Sequence, residues 1–138
     1  RDKNFLIGKK LLGICLGFQL LGISSTEEGY ESGLGLIPAK VDKLTSIRDN
    51  LKIPHIGFNS VSFKSSDKFF VGLKKNVDFY FVHSFKYKLY KTDSFIATCN
   101  YGEEFIAAYN NKNIYGTQFH PEKSQSNGLI LLKNFFNS

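Results

Sequence analysis

The sequence predicts an α/β fold: a mixed sheet with flanking helices. Three observations point there. "LLGI", residues 11–14, is short, wholly apolar and followed at once by residues at helical spacing, as when a covered strand feeds a helix. Residues 77–111 are rich in β-branched and aromatic residues and broken by turn residues, as antiparallel strands are. Near the end, "NGLILLKNFF" returns to helical spacing. A chain of 138 residues suits one domain with a real core.

In chain order, "NFLIGKK" reads as the last turn of a helix with Gly8 as its cap. "LLGI" suits a central parallel strand. "LGFQLLGISS" places Leu16, Leu20 and Leu21 on one side of a short helix, so Cys15 falls at a strand-to-helix junction. The glycine-rich residues 27–38 predict a loop. "AKVDKL" and "PHIGFNSVSF" have strand character, and residues 77–90 predict one long strand. "SFIATCNY" and "FIAAYN", joined through Gly102 and two glutamates, predict a hairpin. "NIYGTQF" predicts a buried strand. The closing helix is expected to pack Leu129, Leu132, Phe135 and Phe136 on the sheet, capped by Ser124 or Ser126. The expected order is a parallel core strand near each end with antiparallel strands between.

Composition narrows the function classes. The net charge is +6, but the lysines are dispersed, which describes a solvated surface or a face for an acidic partner rather than a nucleic-acid arm. No window is apolar enough for a membrane span, and no signal peptide is visible. Two cysteines, Cys15 and Cys99, predict a reducing, cytoplasmic setting, with Cys99 in the core. No metal or cofactor is expected, because no His, Cys and carboxylate set has ligand spacing beyond His120 and Glu122. The chain has no methionine and starts "RDKNFLIGKK", so an internal fragment is expected in preference to a processed start.

The chemistry centres on "GICLG", Gly13–Gly17. Its glycine spacing is that of a nucleophile elbow, with cysteine at the apex. A tight turn strains the apex residue, and side chains two positions either side would collide, so glycine is expected there. A helix starting after Cys15 points N–H groups at its sulfur, favouring thiolate, and the Leu16 N–H could hold an oxyanion. The pattern alone also fits an inert packed cysteine. In "QFHPEKS", His120 and Glu122 are two apart in an extended stretch and can share a face, with Pro121 stiffening the link. Such a carboxylate orients an imidazole base, although a capping Glu beside a surface His has the same spacing. The order nucleophile, His, acid disfavours an α/β-hydrolase.

"GICLGFQLLG" together with "YGTQFHPEKS" resembles the class I (triad) glutamine amidotransferases, a flavodoxin-like fold. "EEGYESGLGLIPAKV", "IPHIGFNSV" and "FYFVHSF" make the chain most similar to the glutaminase subunit of imidazole glycerol phosphate synthase, along essentially its whole length. The resemblance implies that Cys15 attacks the carboxamide of L-glutamine, His120 moves the proton and Glu122 orients His120. It implies that Leu16 donates an oxyanion N–H, that Gln19 holds the region of the substrate α-carboxylate, and that Ser84 and Phe85 pair with substrate through their backbone. Glu27 is a candidate for the α-ammonium. Ammonia would pass to a cyclase subunit of (β/α)8-barrel fold, forming a heterodimer, for histidine biosynthesis.

Two departures stand out. The family's amino-terminal portion, with a glycine-rich loop completing the oxyanion hole, has no match here, so about a third of the domain is expected to be missing and this piece alone to be a poor enzyme. Phe58 stands where the family usually has tryptophan, at the face towards the partner. A paralogue feeding ammonia to amino-sugar or surface-glycan synthesis therefore stays open, as do a non-catalytic regulatory subunit and a partnerless hydrolase of γ-glutamyl compounds. Tyr80 and Lys123 are interface candidates by position. His83 is either a satisfied strand histidine or an interface or relay residue, and His55 is expected to be structural.

Overall fold

A computed structural model describes residues 8–26, 31–45 and 50–138. Its strands are β1 (Leu11–Ile14), β2 (Ser24–Ser25), β3 (Glu31–Ser32), β4 (Lys40–Lys43), β5 (His55–Ser62), β6 (Asn76–His83), β7 (Phe85–Tyr87), β8 (Phe95–Asn100), β9 (Glu104–Asn111) and β10 (Ile114–Thr117). The α-helices are α1 (Leu16–Leu20) and α2 (Gln125–Asn137).

The strands form two sheets where the sequence suggested one. A six-stranded sheet runs β1-β10-β9-β8-β5-β6, and a four-stranded sheet runs β3-β2-β4-β7. β1 pairs with β10 in parallel, while β9, β8, β5 and β6 pair antiparallel, as expected. β1 is not central among the described strands: it lies at one end of its sheet. Residues 77–90 do not make one strand. They break at Ser84, where the chain leaves β6 in the larger sheet and enters β7 in the smaller one.

Burial follows the strand period. On β6, Val77, Phe79, Phe81 and His83 point inward and Asp78, Tyr80 and Val82 outward. β9 is buried from Phe105 to Asn110, as a strand covered on both faces should be. Pairing with β8 skips Ala107, a bulge that sends Phe105, Ala107 and Ala108 to one core and Ile106 and Tyr109 to the other. The first core is aromatic and lies between the large sheet and α2. The second joins Phe18 of α1 and Tyr87 of β7 to β9.

α2 packs through Gly128, Leu131 and Phe135; of the expected set Phe135 meets the core, whereas Leu129 and Phe136 are exposed. Gly128 fixes this face, because a Cβ there would lie 1.8 Å from the Pro121 carbonyl oxygen. Ser124 occupies the N-cap position of α2, but its side chain makes no cap hydrogen bond and serves the site instead. The helix expected over "NFLI" falls outside the described residues, as does Glu27.

Candidate functional site

Cys15 sits between β1 and α1 at φ 54° and ψ −109°, a left-handed conformation that costs a side-chain-bearing residue of order 1–3 kcal/mol. Its N–H donates to the Thr117 carbonyl at 2.8 Å, carrying the β1–β10 pairing one residue past β1. Its carbonyl then accepts from the Gln19 N–H at 3.1 Å, the first turn of α1. The Leu16 N–H therefore lies in the first turn, where a helix leaves donors unsatisfied by its own carbonyls. The two glycines of the elbow are not equivalent. A Cβ on Gly13 would lie 2.7 Å from the Gly17 carbonyl oxygen, whereas a Cβ on Gly17 would meet nothing within 4 Å. Only Gly13 is sterically required.

His120 leaves the end of β10 and is held on three sides. Phe119 before it stacks on Phe79 with centroids 3.9 Å apart. The His120 N–H donates to the Tyr80 carbonyl at 2.9 Å. The Ser124 hydroxyl donates to the His120 carbonyl at 2.6 Å and accepts from the Tyr80 N–H at 2.9 Å, clamping the turn to β6. The imidazole Nδ1 lies 2.8 Å from Glu122 Oε2. With Nδ1–H donating to that carboxylate, Nε2 becomes the basic atom.

The cysteine and histidine segments converge on β6. Cys15 Sγ donates to the Val82 carbonyl at 3.6 Å, and the His120 N–H uses the Tyr80 carbonyl two residues earlier. Those carbonyls face the same side of one strand, roughly 7 Å apart. The large sheet therefore curls so that β6, at one end, reaches the β1 and β10 exits at the other.

Of the other sequence-predicted residues, Gln19 is buried, and its Nε2 donates to the Phe85 carbonyl at 3.0 Å and to Gln118 Oε1 at 3.1 Å. The Phe85 carbonyl also faces His83 Nδ1 at 2.9 Å, and the Ser84 carbonyl accepts from the Leu44 N–H at 2.8 Å. These backbone acceptors thus already have partners inside the chain. Phe58 of β5 and Tyr80 of β6 pair across the outer face with ring centroids 5.4 Å apart, Phe58 half exposed. Lys123 is exposed in the turn that carries Glu122. His83 does not share that face: it is 6% exposed and points into the core against His55. Burial and its neighbour's charge lower His55 to about 4. Burial also takes His83 to about 4, against the raising effect of the Phe85 carbonyl and with the charge of His120 adding to the fall. Cys99 is buried, which pushes its thiol up to about 12.

Sequence reasoning missed Gln118, fully buried, whose Nε2 lies 3.8 Å from Cys15 Sγ. Its place one strand period before His120 was the available signal. It also missed Lys86, 1% exposed and paired with Glu103 at 3.2 Å. Among the described residues, no three His, Cys, Asp or Glu gather as a metal site, and no helix is long and apolar enough to cross a membrane.

Residues 2–138 match the family model described as "Glutamine amidotransferase class-I". The chain is 46% identical over 136 residues to "Imidazole glycerol phosphate synthase subunit HisH" of Leptospira borgpetersenii, covering 96% of this chain and 66% of that protein. It is 48% identical over 129 residues to the protein of the same name from Pyrococcus furiosus, covering 93% of this chain and 64% of that one. The chain thus spans just under two thirds of the length of these relatives. In fold it is similar to a glutamine amidotransferase from Thermotoga maritima, with a TM-score of 0.57 and 20% identity over 91% of this chain and 44% of that one. A strained cysteine elbow, a His-Pro-Glu turn tied to the same strand and a family match along nearly the whole sequence agree: the chain belongs to the class I glutamine amidotransferases.

Proposed function

We propose that the protein is the glutaminase subunit of an imidazole glycerol phosphate synthase, acting in the cytoplasm with a cyclase subunit of (β/α)8-barrel fold. Cys15 Sγ attacks the side-chain carboxamide carbon of L-glutamine while its proton passes to His120 Nε2. The Leu16 N–H receives the developing oxyanion. His120 then returns the proton to the departing nitrogen, releasing ammonia and leaving a γ-glutamyl thioester. Water, deprotonated by His120, hydrolyses the thioester to glutamate and regenerates the thiol. Glu122 holds Nδ1–H and stabilises the imidazolium in both halves. Gln19, Ser84, Phe85 and Glu27 form the substrate-binding set, and Phe58, Tyr80 and Lys123 the face towards the cyclase. Because Gln19 and Phe85 are engaged inward, they act by shaping the wall of the substrate site.

The observation that carries this reading is the His120–Glu122 pair at 2.8 Å, hung on the same strand as the strained cysteine. The relatives' shared name supports the choice of pathway. The test is glutamate release by the full-length protein, with and without the cyclase, together with mass analysis after treatment with a glutamine analogue carrying an electrophile in place of the carboxamide. Labelling of Cys15 and ammonia transfer to the cyclase are expected. Failure to label Cys15 would make the chain a non-catalytic subunit. Hydrolysis indifferent to the cyclase, or an amino-sugar synthase as the protein that captures the ammonia, would refute the assigned pathway.

A further inference from the structure

The register of the large sheet sets one more side chain beside the nucleophile. β1 and β10 run in parallel with Gly13 against Gly116 and Ile14 against Thr117, so the next step of the ladder brings Cys15 alongside Gln118. Both backbones are held there: the Cys15 N–H donates to the Thr117 carbonyl and the Gln118 N–H to the Ala107 carbonyl of β9, each at 2.8 Å. Facing residues of neighbouring strands share one side of the sheet. The Gln118 side chain accordingly ends at the sulfur, with Nε2 3.8 Å from Cys15 Sγ.

Which end of the Gln118 amide meets the sulfur is decided by two neighbours. The Phe85 carbonyl can only accept, so it selects the nitrogen of the Gln19 amide, at 3.0 Å. That nitrogen can only donate, so the Gln118 atom 3.1 Å from it is Oε1. Nε2 is thereby turned to Cys15. Gln118 is fully buried and Gln19 nearly so, which shields this pair of amides from exchange with solvent.

The sulfur thus has a contact for each of its protonation states. The thiol donates to the Val82 carbonyl at 3.6 Å. Once the proton is taken away, that carbonyl oxygen faces an anion and opposes it, while the Gln118 N–H attracts it.

We propose that Gln118 is a further catalytic residue: the N–H it presents to Cys15 Sγ stabilises the thiolate against the Val82 carbonyl as the proton leaves for the base. The proposal rests on the reading of Cys15 as the nucleophile. It assigns Gln19 a second task, that of fixing the amide of Gln118.

The test uses the full-length protein and needs no glutamine. Iodoacetamide alkylation of Cys15, read from its peptide mass between about pH 5 and pH 10, gives both the thiolate midpoint and the limiting rate at high pH. Gln118→Met keeps the length of the side chain and removes the donor. It is expected to raise the midpoint by about one pH unit and so to slow alkylation about tenfold below it, the worth of one hydrogen bond to a charged group. The limiting rate should hold, whereas a merely structural role would change that rate and leave the midpoint alone. His120 and Glu122, the titratable pair of the same site, are intact in this variant. Gln19→Met frees the Gln118 amide to turn, and a smaller rise of the midpoint is expected. An unchanged midpoint in Gln118→Met would overturn the proposal. A second measurement needs no variant: in the wild type the Gln118 side-chain amide, assigned by through-bond NMR, should move with the same midpoint as the alkylation rate, and a signal flat through it would also refute the contact. A wild-type protein that shows both behaviours yet releases no glutamate from glutamine would instead refute the amidotransferase mechanism and leave the contact of Gln118 with the sulfur standing.

Discussion

Gly13→Ala offers the sharpest test of the elbow. The added Cβ would lie 2.7 Å from the Gly17 carbonyl oxygen, 2.8 Å from its carbonyl carbon and 2.9 Å from the Phe18 nitrogen, all backbone atoms. Reaching an ordinary contact of 3.4 Å requires about 0.7 Å of movement between β1 and the first turn of α1. That turn carries the Leu16 N–H, and Phe18 within it is fully buried against the second core, so the strain cannot relax by moving a loose side chain. Overpacking of this kind costs about 1–3 kcal/mol, a fall in Tm of roughly 3–10 °C for a chain of this size. A misplacement of about 1 Å costs on the order of 10²-fold in rate, so kcat/KM for glutamine should drop by about 10–10²-fold. Gly17→Ala is the control: its Cβ meets nothing, and replacing a helical glycine by alanine should stabilise by up to about 1 kcal/mol with little change in rate. Thermal melts and a glutaminase assay on both variants decide it. Equal damage from the two substitutions, or none from Gly13→Ala, would refute the steric reasoning.

Glu122→Gln removes the carboxylate beside His120 Nδ1 but keeps an acceptor; because Glu122 is half exposed, Tm should stay within about 1 °C while kcat falls by roughly 10–10²-fold, measured in the same assay. His55 and His83 titrate near 4 in the fold against 6.5 ordinarily, so the unfolded chain binds protons first; stability should be whole above about pH 6.5 and decline towards pH 4, by up to about 1.4 kcal/mol per pH unit for each imidazole. Urea titrations across that range test this, and His83→Asn should halve the slope. Burial alone would raise the Glu103 carboxyl, but hydrogen bonds from the Thr45 N–H and hydroxyl and from Lys86 outweigh it and hold it below its ordinary 4.5. Its stabilising contribution is therefore present above pH 4.5 and lost as the pH falls through the lowered value. Glu103→Gln removes the counter-charge of the buried Lys86 ammonium, leaving it only neutral acceptors such as the Lys43 carbonyl at 3.3 Å, and should cost about 3 kcal/mol, against a smaller loss in Lys86→Met, by chemical denaturation.

What the sequence disclosed was local. The elbow could be read because its demands lie within five residues, and the His-Pro-Glu turn because an extended stretch puts residues two apart on one face. What stayed hidden was set by distant partners. Residues 77–90 contain no glycine or proline to mark the break at Ser84; the change of sheet is imposed by the pairing of β7 with β4. The face of α2 follows from the approach of Gly128 to the Pro121 carbonyl, which selects Leu131 over Leu129 and Phe136 although all are apolar. Gln118 is an ordinary polar residue in a strand until Gln19 and the Phe85 carbonyl orient its amide. His83 looked eligible for the outer face, and only the inward phase of β6 takes it away from Tyr80.

The common anchorage on β6 has a mechanical meaning. With the sulfur seated on one carbonyl of this strand and the base tethered to another two residues away, pressure on its outer surface at Tyr80, and on Phe58 beside it on β5, carries both reacting groups along as a unit. Load borne on that surface therefore moves sulfur and base together and leaves their separation unchanged.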